Sequence, residues 1–219
     1  MRHFDDIHAI ALERHGASLA EKIGSGPKSA AQLKKIPEDR WLSIFTKVIF
    51  QAGFNWKVIE SKWDGFEEAF RGFDVDACAF MAEDWFDELT QDRRIVRYPA
   101  KIRSVQDNAQ FIQALRDRGG VSKVIAEWPS DQFHALIALL KKDASRLGGT
   151  TGQYALRFMG RDGFILSRDV VARLQAERVI EKAPTSKKAL EQVQAAFNTW
   201  AEQSGKSLIE ISRVLALSI

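Results

Sequence analysis

The chain has 219 residues, of which 45% are hydrophobic and 28% are charged, which is the composition of a folded globular protein. Its longest apolar run, residues 133–140, is interrupted by His134 and is too short to cross a bilayer, and the first residues lack the apolar core of a signal peptide. We therefore expect a cytoplasmic protein with no membrane segment. The single cysteine, Cys78, excludes an internal disulfide, and four scattered histidines predict no metal site.

Apolar residues recur at helical spacing along most of the chain, and sustained two-residue alternation is absent. The five prolines fall between these segments or at their first turns. The sequence thus predicts an all-α protein. The predicted helices are, in order, 4–23, 29–36, 38–52, 56–63, 74–81, 83–90, 100–116, 121–127, one from about 131 to 146, one that includes 154–159, and then 169–178, 187–203 and 207–217.

A glycine-rich turn stands between two of these helices. The hairpin, residues 141–160, joins a basic helix end to a second amphipathic helix. Such a turn leaves backbone amides unpaired beside the positive end of a helix dipole, and this arrangement binds phosphate. Paired glycines also simply end helices, and that alternative remains open. The candidate residues that would bind a phosphate backbone at the turn are Gly148, Gly149, Thr150, Thr151 and Gly152.

The charges are unevenly distributed although the net charge is only +3. Residues 60–92 hold 11 acidic and 2 basic side chains, whereas residues 93–188 hold 19 basic and 9 acidic ones. Such a division steers a polyanion to one face, as in nucleic-acid-binding proteins. Solvated helix faces would explain the same counts equally well.

Several motifs resemble the 3-methyladenine DNA glycosylase I family in both order and spacing. They cover about 60% of the chain, from residue 41 to residue 173. The matching stretches are Gln51-Ala52-Gly53-Phe54-Asn55-Trp56, the segments 66–70 and 73–74, the segment 91–102 with Asn108-Ala109, and Gly149-Thr150-Thr151 with Tyr154.

The resemblance implies a two-lobed helix-hairpin-helix DNA glycosylase that everts a damaged nucleotide from duplex DNA and hydrolyses its N-glycosidic bond, because that bond is inaccessible inside the base stack. It implies that Trp56 stacks on the base, with Gln51 and Tyr154 lining the pocket. It also implies that Lys101 and Arg97 lie beside the DNA backbone. Ordinary packing or solvation would account for each of these five side chains as well.

Two features depart from the family pattern. Val48 stands where the family has the glutamate that reads the alkylated adenine, and this puts the 3-methyladenine specificity in doubt. The cysteines and histidine that bind the family's structural zinc have no counterparts, so we expect no zinc and expect the last helices to tie the termini together. A monovalent cation at the hairpin would be held by backbone carbonyls and leaves no mark in the sequence.

Asp169 is the candidate catalytic residue. In the broader helix-hairpin-helix superfamily, which includes endonuclease III, an aspartate follows the hairpin glycine by about twenty residues, and Asp169 has this spacing from Gly149. A carboxylate there would stabilise positive charge on the deoxyribose as the base departs. Asp169 also fits a simple helix start, and a register shift of one residue would put Arg168 in its place. No lysine occupies the hairpin position used for lyase chemistry, which predicts a monofunctional hydrolase.

We therefore expect a monomeric base-excision repair glycosylase acting on double-stranded DNA that contains an alkylated purine such as 3-methyladenine. One lobe is expected from residues 1–36 with 179–219, and the other from residues 37–178. The alternatives are a helix-hairpin-helix protein that binds damaged DNA without excision and, less in keeping with the motifs, a helical protein-interaction scaffold.

Overall fold

The computed structural model describes all residues from 1 to 219 and contains α-helices, short 3-10 turns and no strand, which confirms the all-α prediction. None of its helices is long and apolar enough to cross a membrane. The helices are α1 (Phe4–His15), α2 (Leu19–Ile23), α3 (Ala30–Lys34), α4 (Glu38–Gln51), α5 (Trp56–Ser61), α6 (Trp63–Ala69), α7 (Val75–Ala79), α8 (Glu83–Gln91), α9 (Pro99–Ala114), α10 (Val121–Glu127), α11 (Phe133–Asp143), α12 (Thr150–Met159), α13 (Arg168–Ala176), α14 (Lys187–Ser204) and α15 (Leu208–Leu217).

The predicted helix boundaries are mostly confirmed, with two exceptions. The single helix predicted over 4–23 is wrong, because Gly16 adopts φ 53° and ends α1 before a 3-10 turn leads into α2. The segment that begins at Trp56 also breaks at Lys62, after which α6 begins at Trp63. Elsewhere the capping residues decide where helices begin: Asn55, Asp74, Ser186 and Ser207 each accept a backbone N–H of the first turn.

The chain forms two compact units. The first unit comprises residues 1–28, 128–136 and 160–219, and the second comprises residues 29–127 and 137–159. This division differs from the lobes drawn from the sequence, because residues 29–36 belong to the second unit and residues 128–136 and 160–178 belong to the first. Local packing explains the difference: α3 packs on α10, and α13 packs on α15.

The second unit is built around α4, which packs against α9 and α12. The sequence predicts α4 to be buried nearly all round, and Trp41, Phe45 and Phe50 are indeed fully buried. Glu67 of α6 binds Arg40 of α4, because its carboxylate accepts two hydrogen bonds from the Arg40 guanidinium, both at 2.9 Å. A rigid central helix therefore carries the residues at its carboxyl end, among them Val48 and Gln51.

Hydrogen bonds within the first unit tie the start of the chain to its last helices. The backbone N–H of Arg2 donates to Glu177 at 2.9 Å, and that of Phe4 donates to Gln203 at 2.9 Å. The indole of Trp200 donates to the carbonyl of Arg2 at 3.2 Å. Gln203 and Trp200 belong to α14, Glu177 directly follows α13, and α15 packs on α1.

Candidate nucleic-acid interface and base pocket

The hairpin turn lies at the surface of the second unit. Helix α11 ends at Asp143 and α12 begins at Thr150, while Gly149 adopts φ 60°, a conformation that favours glycine. Gly149 and Thr150 are exposed, and Gly148 and Thr151 are half-buried. No backbone carbonyl accepts a hydrogen bond from the backbone amides of Gly149, Thr150 or Thr151. The turn therefore presents free N–H donors to an outside acceptor such as a phosphate.

A buried asparagine from α9 holds the turn in place. The Asn108 side chain donates to the carbonyl of Ser145 at 3.0 Å and accepts from the N–H of Ser145 at 2.8 Å. Asn108 is fully buried, and Leu147 anchors the turn from the other side with its buried side chain. This two-point hydrogen bond fixes the backbone before a ligand arrives, which lowers the entropic cost of binding.

A small cavity of about 120 Å³ opens between the end of α4, the start of α5 and the start of α12, all within the second unit. The structure brings together here the four residues assigned to the base pocket by the family resemblance. The lining residues are Val48, Gln51, Ala52, Trp56, Thr150, Thr151 and Tyr154. The hairpin thus contributes two of its residues to the same cavity as the pocket residues.

Aromatic rings form one wall of this cavity. Trp56 is 46% exposed, which is unusual for a tryptophan that is needed only for core packing. Its ring meets Tyr154 edge-to-face at 5.8 Å and meets Phe158 in the same way at 6.2 Å. The two neighbours fix the orientation of this exposed indole, and stacking of a flat ligand on it stays a prediction.

Gln51 is the buried polar side chain among the residues that line the cavity. It is buried, and its Nε2 donates to Glu60 at 3.1 Å. Glu60 in turn pairs with Lys47, whose Nζ lies 2.7 Å from the second carboxylate oxygen. The Oε1 atom of Gln51 is buried and has no hydrogen-bond partner.

A second, larger cavity of about 340 Å³ adjoins the first and shares Ala52 and Thr151 with it. Its other lining residues are Ile49, Lys101, Arg146 and Gly148. Two cationic side chains therefore lie beside the glycine turn. Arg146 is also held, since its Nε donates to the carbonyl of Ala100 at 3.2 Å. Positive charge at this position favours an anion.

Lys101 is not on a solvated helix face as its charge suggests, because only 7% of its surface is exposed. Its ammonium donates to the carbonyl of Ala52 at 2.5 Å and lies 4.4 Å from the centre of the Phe54 ring. Burial, and to a smaller extent the nearby charge of Arg146, lowers the pKa of Lys101 from 10.5 to about 8. Contact between Lys101 and a DNA backbone stays a prediction.

The lowered pKa of Lys101 predicts a pH dependence of stability. Between about pH 8 and pH 10.5 the native state has already lost the proton that the unfolded chain retains, so the free energy of unfolding rises with pH through this window. We expect the Lys101→Met variant to lack this rise. Urea unfolding at about pH 7.5 and about pH 9.5 measures the difference, with the exposed Lys57→Met as control. Equal pH dependence in wild type and Lys101→Met would contradict the assignment.

Two further predicted residues lie outside these cavities. Arg97 is exposed in the segment before α9. Asp169 is exposed in the first turn of α13, which begins after Ser167 accepts the N–H of Val170. Asp169 belongs to the first unit, whereas the hairpin and both cavities belong to the second.

The chain does not fit the structural zinc of the resembled family. No group of three or more His, Cys, Asp or Glu residues is placed to hold a metal ion. Cys78 is fully buried and its thiol donates to the carbonyl of Phe70 at 3.6 Å. Burial raises the pKa of Cys78 to about 12, so its thiol is a poor metal ligand.

Sequence reasoning missed several residues of this site. Glu60 and Lys47 are distant from the glycine turn in sequence and carry no motif of their own. Helical spacing predicts that Phe158 lies on an apolar face, but it does not predict the contact with Trp56. Asn108 was noticed as part of a matching segment, but its role depends on a contact with residue 145 that spacing alone does not reveal.

Solved structures of similar fold define the class of protein. The chain is similar to the 8-oxoguanine DNA glycosylase of Methanocaldococcus jannaschii, with a TM-score of 0.58 and 13% identity over 95% of this chain and 90% of that one. The corresponding enzyme of Thermotoga maritima gives a TM-score of 0.53 and 16% identity over 97% and 95% of the two chains. The fold is therefore that of the helix-hairpin-helix DNA glycosylases.

The family follows from the sequence. Residues 38–150, just over half of the chain, match the methyladenine glycosylase family model, and the chain belongs to this family of base-excision DNA glycosylases. The 3-methyladenine DNA glycosylase I of Staphylococcus aureus is similar to it over 56% of this chain and 76% of that one, with 22% identity and a TM-score of 0.50. None of the curated proteins searched matches the sequence. The matched segment runs from α4 to the first residue of α12, so it contains the turn and precedes Tyr154 and Asp169.

Proposed function

We propose that the protein is a monofunctional DNA glycosylase that releases an alkylated purine, such as 3-methyladenine, from double-stranded DNA. The observation that carries the proposal is the cavity in which Trp56, Tyr154 and Gln51 adjoin the hairpin residues Thr150 and Thr151. A flat base held there against Trp56 would have its sugar-phosphate strand beside the free amides of the turn.

In this proposal the hairpin binds the strand while the cavity receives the everted base. The Staphylococcus aureus relative is described by its recognition of 3-methyladenine, and a Methanocaldococcus jannaschii relative by its complex with DNA containing 8-oxoguanine. The first description supports a damaged base as the ligand, and the second supports DNA that contains one. We further propose that Lys101 and Arg146 add positive charge beside the turn, and that the exposed Arg97 contacts the DNA backbone.

Hydrolysis breaks the bond between C1′ of the deoxyribose and the base nitrogen. The bonding electrons leave with the base, the oxygen of a water molecule bonds to C1′, and that water loses its proton. An alkylated purine that carries positive charge is already a good leaving group, so stacking and modest electrostatic stabilisation suffice. We propose that Asp169 stabilises the positive charge that develops on the sugar.

The absence of a lysine at positions 150–152 supports a hydrolase without strand cleavage. We propose that the protein acts as a monomer and needs no zinc. Binding of a monovalent cation by the backbone carbonyls of the hairpin stays a prediction.

Incubation with methylated duplex DNA tests the proposal directly. We expect free 3-methyladenine or another alkylated purine by chromatography, together with intact abasic strands on a gel until alkali is added. Strand cleavage with β-elimination products would contradict the monofunctional assignment.

The same assay separates a second candidate function. The buried Val48 leaves the cavity without the carboxylate that the resembled family uses, which favours a protein that binds damaged DNA without excision. Tight, salt-sensitive binding with no base release would support this alternative and contradict the glycosylase proposal.

A further inference from the structure

The carboxamide of Gln51 is held in one orientation by its neighbour. Glu60 accepts a hydrogen bond at 3.1 Å from the side of Gln51 assigned as Nε2. A carboxylate has no proton to donate, so the amino end of the carboxamide must face it. Lys47 lies 2.7 Å from the other oxygen of Glu60 and reinforces the negative charge of that carboxylate. The carbonyl end of Gln51 therefore points away from Glu60.

That carbonyl oxygen is the unsatisfied polar atom of the cavity. Gln51 is only 4% exposed, and its Oε1 is buried with no hydrogen-bond partner. An acceptor left unpaired in the interior costs free energy until a donor reaches it. Gln51 and Trp56 line the same cavity, so a donor on a ligand stacked against Trp56 would be close to this oxygen.

The remaining lining of the cavity is uncharged. Valine, alanine, tryptophan, two threonines and tyrosine surround Gln51. Threonine and tyrosine hydroxyls donate or accept, so they do not discriminate between donors and acceptors on a base. The fixed carbonyl of Gln51 does discriminate, because it only accepts.

We propose that Gln51, positioned by Glu60 and Lys47, is the specificity-determining residue for the base and selects purines with an amino N–H on the edge that enters the cavity. Gln51 would thus replace the glutamate that the resembled family has at the position of Val48. The proposal rests on the proposed glycosylase function and names the class of base which that site accepts. Glu60 and Lys47 are positioning residues, since they act only through Gln51.

The test compares two free bases that differ in one group. 3-Methyladenine carries the 6-amino donor, and 3-methylpurine lacks it without adding bulk. Calorimetric titration of the full chain with each base gives a ratio of dissociation constants. We expect wild type to prefer 3-methyladenine by about tenfold, the effect of one hydrogen bond to an otherwise unpaired buried acceptor.

Two variants test the role of Gln51 and the role of Glu60, which orients it. Gln51→Met keeps the length of the side chain and removes the acceptor, so we expect the ratio to fall close to one while stacking retains the binding of both bases. Glu60→Gln lets the Gln51 carboxamide turn over, so we expect a reduced ratio with Gln51 intact. The Glu60 side chain is 54% exposed, so this variant remains informative if Gln51→Met does not fold. The exposed Glu88→Gln is the matched control and should keep the wild-type ratio.

The outcomes separate this inference from the proposed function. If both variants keep the wild-type ratio of dissociation constants, Gln51 does not select the base. The same conclusion follows if the wild-type protein binds neither free base but releases a different base from damaged DNA. In both cases the glycosylase assignment stands. A wild-type protein that binds no base and releases none overturns both.

Discussion

Replacing Asp169 by asparagine is expected to lower the rate of base release by about 100-fold, while affinity for duplex DNA changes little. Removal of one group that stabilises developing charge in the transition state typically costs this much. The carboxylate is exposed in the first turn of α13, and the substitution keeps its size, so the fold should remain intact. Single-turnover release of base from methylated duplex DNA measures the effect, because it isolates the chemical step.

The neighbouring residue provides the control. Arg168 is exposed in the same turn, and Arg168→Gln should reduce the affinity for DNA at most, with unchanged single-turnover release at saturating protein. If Arg168→Gln abolishes release and Asp169→Asn does not, the superfamily position falls on residue 168. If neither variant changes the rate, α13 supplies no catalytic group and the proposed role of Asp169 is wrong.

The second large effect is expected at Gly152, which lies in the first turn of α12. A Cβ atom at this position would lie 2.3 Å from the carbonyl oxygen of Leu147, and that oxygen belongs to the backbone of the turn. The turn is held by Asn108 and cannot easily move. Although alanine favours a helix by about 1 kcal/mol over glycine, a steric conflict of this kind costs more, about 3 kcal/mol. We therefore expect Gly152→Ala to destabilise the protein by about 2 kcal/mol.

The displaced turn should also weaken DNA binding. We expect the affinity of Gly152→Ala for duplex DNA to fall about tenfold at fixed salt, since the amides at 149–151 no longer hold their spacing. Urea unfolding and fluorescence anisotropy measure the two effects. Gly26→Ala is the matched control, because a Cβ there meets nothing within 4 Å. If Gly152→Ala is as stable as wild type and binds duplex DNA with the same affinity, the turn tolerates the change and does not bind the DNA strand.

The local features of the chain were accessible from its sequence because they depend on neighbours a few residues away. Helical spacing and capping residues located most helices, and the glycine turn at 148–149 was recognised from its composition. The break at Gly16 was missed, because a single glycine is tolerated in a helical pattern and its backbone conformation depends on packing. The assignment of Val48, Gln51, Trp56 and Tyr154 to one pocket came from family resemblance, and their gathering around one cavity is a result of the structure.

Lys101 shows the limit of reasoning from residue type. Its charge and its place on an amphipathic helix suggest a solvated position, yet aromatic rings and the carbonyls at the end of α4 enclose it. The orientation of Gln51 is a similar case, since Glu60 and Lys47 fix it through contacts between α4 and α5 that no spacing rule describes.

The sequence by itself determined an all-α chain, a glycine hairpin and membership in a glycosylase family, because periodicity, turn chemistry and motif order are properties of the linear chain. The tertiary structure alone decided which polar atoms are buried, which of them lack a partner and which cations lie beside the turn. These depend on the exclusion of water by residues distant in sequence, and burial sets both the pKa of Lys101 and the unmet hydrogen bond of Gln51.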